Sequence, residues 1–244
     1  MSYDTRIRYG ANWYGNTATL RVFRVDTDEA PARDIQMIDI PGKSGSLIID
    51  NNKYRNVDMV YDFVFLSSIE TMVKTVKNAL LTATGYNRFL DNNYPDDTYL
   101  ATVKEDLDPV FTPDRALAKM RVTFNRKPQR FLTSGQTAQT FTNSGSGSSV
   151  YQLTNPGSQP SQPLLKIFGT GPVTINGQTI YISAADEYTM VDCESMECYK
   201  DSVSKNGNVT LTNNKFPTLA VGSNSISLNA GITKVEITPR WWRL

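Results

Sequence analysis

Alternating apolar and polar residues dominate the first half of the chain. The segments TATLRVFRV, VYDFVFL and AKMRVTFNR all alternate, the first through Leu20 and Val22, the last through Met120, Val122 and Phe124. Successive side chains of a strand point to opposite faces, so this pattern predicts strands with one buried face. The N-terminal part is therefore predicted to be mainly β-sheet.

One segment of this part, SSIETMVKTVKNALLTATG, has helical spacing instead. Its apolar stripe consists of Ile69, Met72, Val73, Val76 and Leu80. Such a stripe predicts an amphipathic helix that packs on a sheet. Ser67 and Glu70 have the spacing of a capping box, and Gly85 follows the expected end.

The C-terminal part shows short strand patterns separated by turn residues. VTINGQTIYI predicts a hairpin with an Asn176-Gly177 turn, and SKNGNVTLTNN predicts a second hairpin at Asn206-Gly207. ECYKDS, SNSISLN and ITKVEIT add further short segments. About eight short strands at regular spacing are typical of a β-sandwich.

A long uncharged stretch separates these two parts. No charged residue lies between Arg130 and Lys166, and the middle of this gap, TSGQTAQTFTNSGSGSS, has linker composition. We therefore predict an N-terminal domain over residues 1–134, a linker over 135–150 and a C-terminal domain over 151–244.

Two further segments suggest contacts outside a domain core. DIPGKSGSLIIDNNKYRNVD, at about residues 40–57, predicts a long excursion or hairpin with one apolar patch, LII. In the closing segment, Val235, Ile237 and Trp241 belong to one face of a strand and Trp242 to the other. Trp241 is predicted in a core, and Trp242 against the linker, another domain, a neighbouring chain or a sugar.

Composition excludes several classes of chemistry. The chain has no histidine, which removes the commonest general base and zinc ligand, and its 25 basic residues nearly balance 24 acidic ones. Sequence-specific nucleic-acid binding is therefore not expected. Cys193 and Cys198 fit neither a zinc knuckle nor a redox pair; on one strand they would face opposite sides, as buried free thiols made in a reducing compartment.

Other candidate motifs are weak. GKS lacks the first glycine of a phosphate-binding loop, because that position is Met37. Asp96 and Asp97 could serve a glycosidase, but their Tyr-Pro turn context favours solvated turn carboxylates. The N-terminus has no apolar signal segment, and no apolar run approaches the length of a membrane span.

Several stretches together resemble a known family. They run in the order GKSGSLIIDNNKYRNVDMVYDFVF, RFLDNNYPDDTYLATV, FNRKPQRFLTSG, LTNPGSQPSQPLLKIFGTGPVTINGQTI, VDCESMECYKD and FPTLAVGSNSISLNAGITKVEITPRWWRL. This order resembles the distal tail proteins of long, non-contractile-tailed phages and prophages. The likeness extends from about Ile40 to Leu244, and its most specific parts are the Asn-Pro-Gly segment and the closing PRWW.

The resemblance implies a structural virion protein of the tail tip, assembled in the host cytoplasm, and no enzyme. It implies a mainly β fold: an N-terminal tail-tube-like sandwich or barrel with one helix, and a C-terminal galectin-like jelly-roll sandwich. It also implies a homo-hexameric ring that meets the tail tube protein, a tail-associated tip protein and a receptor-binding protein. No cofactor, metal or membrane partner is implied.

The same resemblance makes the 40–57 excursion a candidate arm between subunits. Its apolar anchor would be Leu47, Ile48 and Ile49, with Tyr54 as a rim contact, and Trp242 is a candidate contact to a domain or partner. Two alternatives stay open. One is a carbohydrate-binding module with tryptophan and tyrosine as stacking platforms, and the other is a glycosidase that uses Asp97.

Overall fold

The computed structural model describes residues 3–26, 30–104, 106–143 and 147–244, with the backbone alone at Tyr3. The chain divides into unit 1, residues 1–130 with Leu244, and unit 2, residues 131–243. The unit boundary thus precedes the predicted one at residue 134. Of the predicted linker 135–150, residues 144–146 lie outside the described residues, and residues 139–142 form a strand of unit 2.

Unit 1 consists of strands and one described helix. The elements are β1 (Tyr3–Thr5), β2 (Ile7–Tyr9), β3 (Asn12–Tyr14), β4 (Leu20–Arg24), β5 (Arg33–Asp39), β6 (Ser46–Tyr54), β7 (Val57–Phe65), α1 (Ile69–Leu81), β8 (Asn87–Asp91), β9 (Asp97–Val103), β10 (Pro109–Phe111) and β11 (Ala118–Arg126).

The main sheet of unit 1 curls back on itself. Its order is β1-β4-β7-β11-β9-β8-β2-β3, with β10 on β11. Strands β1 and β2 lie towards opposite ends of this order, yet only Arg6 separates them in the chain. The two ends of the sheet therefore approach each other, as in a barrel. Gly15 lies at this closure with a φ of +90°, and a Cβ there would come within 2.5 Å of the Thr5 carbonyl.

Aromatic side chains fill the inside of this sheet. Tyr61, Phe89 and Phe124 are fully buried, and the Phe89 and Phe124 ring centroids lie 4.9 Å apart. The helix adds Val73, Val76 and Leu80 to the same core, while Ile69 and Met72 pack against it partly buried. The predicted apolar stripe of the helix is therefore confirmed.

Two local predictions for unit 1 are wrong. The helix begins at Ile69 after Ser68, which has a φ of +48° and no side-chain capping bond, so Ser67 and Glu70 form no capping box. Asp97 is not a solvated turn carboxylate: it is buried at the start of β9, where the Tyr99 hydroxyl donates a hydrogen bond to it at 3.4 Å. A buried carboxylate needs such partners, and tertiary structure supplies them.

Unit 2 is a β-sandwich. Its strands are β12 (Arg130–Leu132), which begins at the boundary residue, β13 (Gln139–Thr142), β14 (Ser149–Asn155), β15 (Leu164–Gly169), β16 (Gly171–Ile175), β17 (Gln178–Ile182), β18 (Tyr188–Asp192), β19 (Glu197–Lys200), β20 (Val203–Ser204), β21 (Val209–Leu211), β22 (Gly222–Leu228), β23 (Ile232–Thr238) and β24 (Trp242–Arg243). Short 3-10 turns occur at Thr133–Gln136, Asn206–Asn208 and Thr212–Asn214.

The described strands of this unit form two sheets around one core. One sheet has the order β13-β23-β15-β18-β19-β20 and the other β14-β22-β16-β17-β21, while β12 pairs with β24. Ile226 of one sheet and Val235 and Ile237 of the other are fully buried in the shared core. The predicted β-sandwich is therefore confirmed, as is the hairpin at Asn176-Gly177, where Ile175 pairs with Gln178.

The second predicted hairpin, at Asn206-Gly207, is wrong. These residues form a 3-10 turn between β20 and β21, which belong to different sheets. The Asn206 side chain instead binds the neighbouring strand: its Oδ1 accepts a hydrogen bond from the backbone N–H of Cys198 in β19 at 2.6 Å.

The cysteine geometry also differs from the prediction. Cys193 follows β18 and Cys198 lies in β19, so a turn separates them and they do not occupy opposite faces of one strand. Both side chains enter the core of unit 2, and both are free thiols, as predicted.

Candidate subunit interface

The predicted excursion is a β-hairpin that stands apart from the main sheet of unit 1. Strands β5 and β6 pair with each other and with no other described strand. Their register places Met37 opposite Ile48 and Ile38 opposite Leu47. The hairpin therefore starts at Arg33, seven residues earlier than the sequence pattern indicates.

Both faces of this hairpin carry exposed apolar side chains. Directly opposed residues share a face, so Met37 and Ile48 lie on one face and Ile38, Leu47 and Ile49 on the other. Met37 and Ile48 are 64% and 60% exposed, and Leu47 is 51% exposed. We refer to these five residues as the apolar hairpin patch.

Among the described residues of an isolated chain, no other surface covers the two apolar faces of this hairpin. A two-stranded hairpin is marginal in water unless another surface covers it. Contiguous exposed apolar side chains are typical of protein contacts. The hairpin also leaves the outer edges of β5 and β6 without a described strand partner, and such edges can pair with another chain.

Charged residues fix the base of the hairpin. Asp34 accepts hydrogen bonds from Arg55 at 2.9 and 3.1 Å and from Asn51 at 3.1 Å, and Lys53 lies 3.2 Å away. The Arg55 guanidinium, followed by Asn51 and Lys53, lowers the pKa of Asp34 from 3.8 to about 2. These partners tie β6 and the residue after it back to β5.

Tyr54 belongs to this base rather than to the apolar patch. It pairs with Arg33, whose guanidinium carbon lies 5.8 Å from the Tyr54 ring centroid. Arg33 also forms an ion pair with Asp50 at 3.0 Å. The predicted rim contact is thus a half-buried aromatic residue beside the charged base, and its role in an interface stays a prediction.

The structure adds residues to the predicted apolar anchor. Leu47, Ile48 and Ile49 all lie on the hairpin, but Ile48 faces away from the other two. Met37 and Ile38 complete the two faces, and Ile40 at the start of the loop is 41% exposed. The signal was present in RDIQMIDIPG, where apolar residues precede a Pro-Gly turn and mirror LII after it.

The two tryptophans at the end of the chain have separate environments within unit 2. Trp241 is 2% exposed and belongs to the core, as predicted. Trp242 is half-buried, and its indole N–H donates to the Pro160 carbonyl at 3.0 Å. The backbone N–H of Ser158 donates to the Trp242 carbonyl at 3.2 Å. Trp242 therefore packs on the 155–160 segment of its own unit, and its role as a partner contact stays a prediction.

Unit 2 also has an open polar cavity of about 430 Å³. Its lining includes Asp192, Glu197, Tyr199, Asp201, Ser204 and Asn206. Two of these carboxylates already have partners: Asp192 binds the Arg240 guanidinium through both oxygens, at 2.7 and 3.0 Å, and Asp201 accepts the Tyr188 hydroxyl at 2.8 Å.

The two buried thiols of unit 2, of which Cys198 lines this cavity, are poor nucleophiles. Burial raises the pKa of Cys193 to about 12 and that of Cys198 to about 11. A thiol reacts as its thiolate, so both are inert near neutral pH. In the part of the chain that the structure describes, no group of three or more Cys, Asp or Glu could hold a metal ion, and no helix is long and apolar enough to cross a membrane.

Comparison with known proteins gives matches at the level of structure. No family model and no curated protein matches the sequence. The crystal structure of the SPP1 Dit (gp 19.1) protein matches with a TM-score of 0.64 and 11% identity, over 96% of this chain and 97% of that chain. That protein is described as a paradigm of the hub adsorption apparatus in phages that infect Gram-positive bacteria.

A second solved structure agrees with the first. The phage p2 baseplate, in its activated conformation with Sr, matches with a TM-score of 0.54 and 7% identity, again over 96% of this chain and 97% of that chain. The match extends over both units of the chain in each case. The resemblance to distal tail proteins is thereby confirmed in fold, and the chain has a Dit-like fold.

Proposed function

We propose that this protein is a structural subunit of a phage tail tip, in which copies form a hexameric ring that joins the tail tube to the receptor-binding apparatus. The observation that carries the proposal is the apolar hairpin patch on a Dit-like fold. A surface that exposes five large apolar side chains on two faces is suited to burial between neighbouring copies.

The hairpin has the properties of an inter-subunit arm. Its base is held by the ion pairs of Asp34, and its charged residues Asp39 and Lys43 lie at the loop end. The apolar hairpin patch between them can therefore be buried with few charged groups. A head-to-tail contact, in which one copy's hairpin packs on a different surface of the next, closes into a ring when the rotation allows it. Unit 2 then serves to attach other tail-tip proteins.

Photo-crosslinking tests the hairpin's part of this proposal. A benzophenone amino acid is placed at Leu47 and, as a control, at Val203, which is 59% exposed on unit 2. The proposal expects irradiation to give a ladder of crosslinked species up to the hexamer from position 47, and no such ladder from position 203. Absence of any crosslink from position 47 at high protein concentration would contradict the arm.

Localisation tests the proposed role itself. Gold-labelled antibodies against this chain should bind the tip of the tail in phage particles that contain the protein, and nowhere else on the particle. Label on the capsid, or its absence from particles with exposed tips, would contradict a tail-tip role.

A carbohydrate-binding role is the second candidate, and the polar cavity of unit 2 favours it. Tyr199 lies there beside the hydroxyl of Ser204 and the amide of Asn206, a combination that can stack on a sugar and hydrogen-bond to it. A glycan array with the whole protein tests this role. Binding that is lost on Tyr199→Ala or on Trp242→Ala would support it.

A further inference from the structure

A second surface of unit 1 carries unbalanced positive charge. Arg8 of β2 lies opposite Trp13 of β3 on one side and Leu90 of β8 on the other. Arg88 is two residues from Leu90 and shares its face, so it is a diagonal neighbour of Arg8. The alternate residues Ile7, Tyr9 and Phe89 are buried, which leaves the arginines and Trp13 on the outer face.

Aromatic and cationic groups are in direct contact there. The Arg6 guanidinium carbon lies 4.8 Å from the Trp13 ring centroid, and that of Arg8 lies 6.0 Å away. The Arg8 Nε donates to the Gly10 carbonyl at 3.1 Å, which fixes the side chain. Trp13 remains 46% exposed. We refer to Arg6, Arg8, Trp13 and Arg88 as the arginine–tryptophan patch.

The arginines of this patch differ from arginines such as Arg21 and Arg121 in their described partners. Among the described residues, no carboxylate forms an ion pair with Arg6, Arg8 or Arg88. Several other basic residues of the same unit are paired, for example Arg21 with Asp4, Lys104 with Asp58 and Arg121 with Asp62. The patch therefore combines three arginines that have no described acidic partner with an exposed tryptophan.

We propose that the arginine–tryptophan patch binds an acidic segment of a partner protein. Guanidinium groups match carboxylates with paired hydrogen bonds, and tryptophan and arginine are the residues most enriched where protein contacts concentrate their binding energy. Three cations on a chain of net charge +1 fall short of the roughly 6–10 phosphate contacts typical of nucleic-acid binding. The proposal does not depend on the hairpin or on ring formation.

Binding of a labelled hexaglutamate peptide to the whole protein tests this inference, with hexaglutamine as the neutral peptide and oligothymidylate as the nucleic-acid probe. The double variant Arg8→Glu/Arg88→Glu should bind hexaglutamate at least about tenfold more weakly, a loss near 1.4 kcal/mol. The control Lys74→Glu/Lys215→Glu changes the net charge equally at exposed sites elsewhere and should keep the affinity.

Trp13→Ala separates a contact surface from a general charge effect. It leaves the net charge unchanged, and circular dichroism checks that the fold is kept. We expect it to weaken hexaglutamate binding severalfold, because Arg6 and Arg8 lose the ring against which they are held. The proposal is overturned if the wild-type protein does not bind hexaglutamate, or if the two double variants lose the same amount of affinity for it. It is also overturned if oligothymidylate binds more tightly than hexaglutamate through the same arginines.

Discussion

Trp241 and Trp242 are adjacent in the chain, but they should contribute differently to the free energy of unfolding. Trp241 is buried among the core residues of unit 2, and Gly135 lies so close to its ring that a side chain there would collide with it. Trp242 keeps part of its surface in water and relies on the hydrogen bond to Pro160. The cost of removing each side chain should differ accordingly.

Trp241→Ala should reduce the free energy of unfolding by about 3–5 kcal/mol, because it leaves a large cavity in the core. Trp242→Ala should cost less, about 2 kcal/mol, because it removes one hydrogen bond and the packing of a half-buried ring. Urea unfolding followed by far-ultraviolet circular dichroism measures both. Equal losses for the two variants would contradict the assignment of Trp241 to the core.

The buried thiols give a second test at single residues. With pKa values raised by burial to about 12 and about 11, Cys193 and Cys198 should not react with Ellman's reagent near pH 8 until the chain is unfolded. Rapid reaction of either thiol in the native protein would contradict its burial.

These thiols also link stability to pH. An unfolded thiol ionises near its ordinary value of 9.0, whereas the folded thiols resist ionisation up to about 11 and 12. Their contribution to stability is therefore fully present below about pH 9 and is lost as the pH rises from there through the folded pKa values. Unfolding midpoints measured across this range should fall with pH, and less steeply in a Cys193→Ala/Cys198→Ala variant.

At the scale of elements, the hairpin formed by β5 and β6 depends on its charged base. The pKa of Asp34 is lowered by Arg55 and its other partners, so its contribution is present above pH 3.8 and is lost as the pH falls from there through about 2. Replacing the Asp34 carboxylate with an uncharged side chain at neutral pH should weaken the hairpin in the same way as protonation of Asp34 in acid.

Asp34→Asn should therefore increase the rate of tryptic cleavage at Lys53 and Arg55, because both lose their carboxylate partner and the hairpin opens more often. Asp96→Asn, at an exposed carboxylate of unit 1, makes the same charge change as a control and should leave the rate unchanged. Cleavage sites identified by mass spectrometry distinguish the hairpin from other exposed segments. An unchanged cleavage rate in Asp34→Asn would contradict the role of this base.

Element by element, the sequence predicts what depends on local pattern. Alternation predicts the burial of Val235 and Ile237, and helical spacing predicts the inner stripe of α1. What depends on register or on distant partners is not predictable in this way. Met37 lies opposite Ile48 only because two strands pair. The burial of Asp97 depends on the hydrogen bond from the Tyr99 hydroxyl. Asn206 accepts a hydrogen bond from Cys198, which lies in the earlier strand β19.

At the scale of the whole molecule, the order of the quoted segments and the share of the chain they cover indicate the fold better than any single motif does. The quoted segments contain no catalytic signature, yet their succession indicates the distal tail fold, which the comparison with SPP1 Dit bears out at 11% identity. Fold likeness does not determine assembly, because an interface depends on surface residues that can change while the core is kept. The apolar hairpin patch is the feature of this chain on which the proposed ring depends.

The mass of the purified protein in solution, measured by analytical ultracentrifugation at increasing concentration, tests the proposed ring most directly. We predict that the wild-type chain passes from the 27.2 kDa monomer to a hexamer, whereas Ile48→Asp remains monomeric. Val203→Asp, at a side chain as exposed as Ile48, should assemble like the wild type. A wild-type chain that stays monomeric at every concentration would contradict the proposed ring. An Ile48→Asp hexamer that is as stable as the wild-type hexamer would contradict the role of the apolar hairpin patch in it.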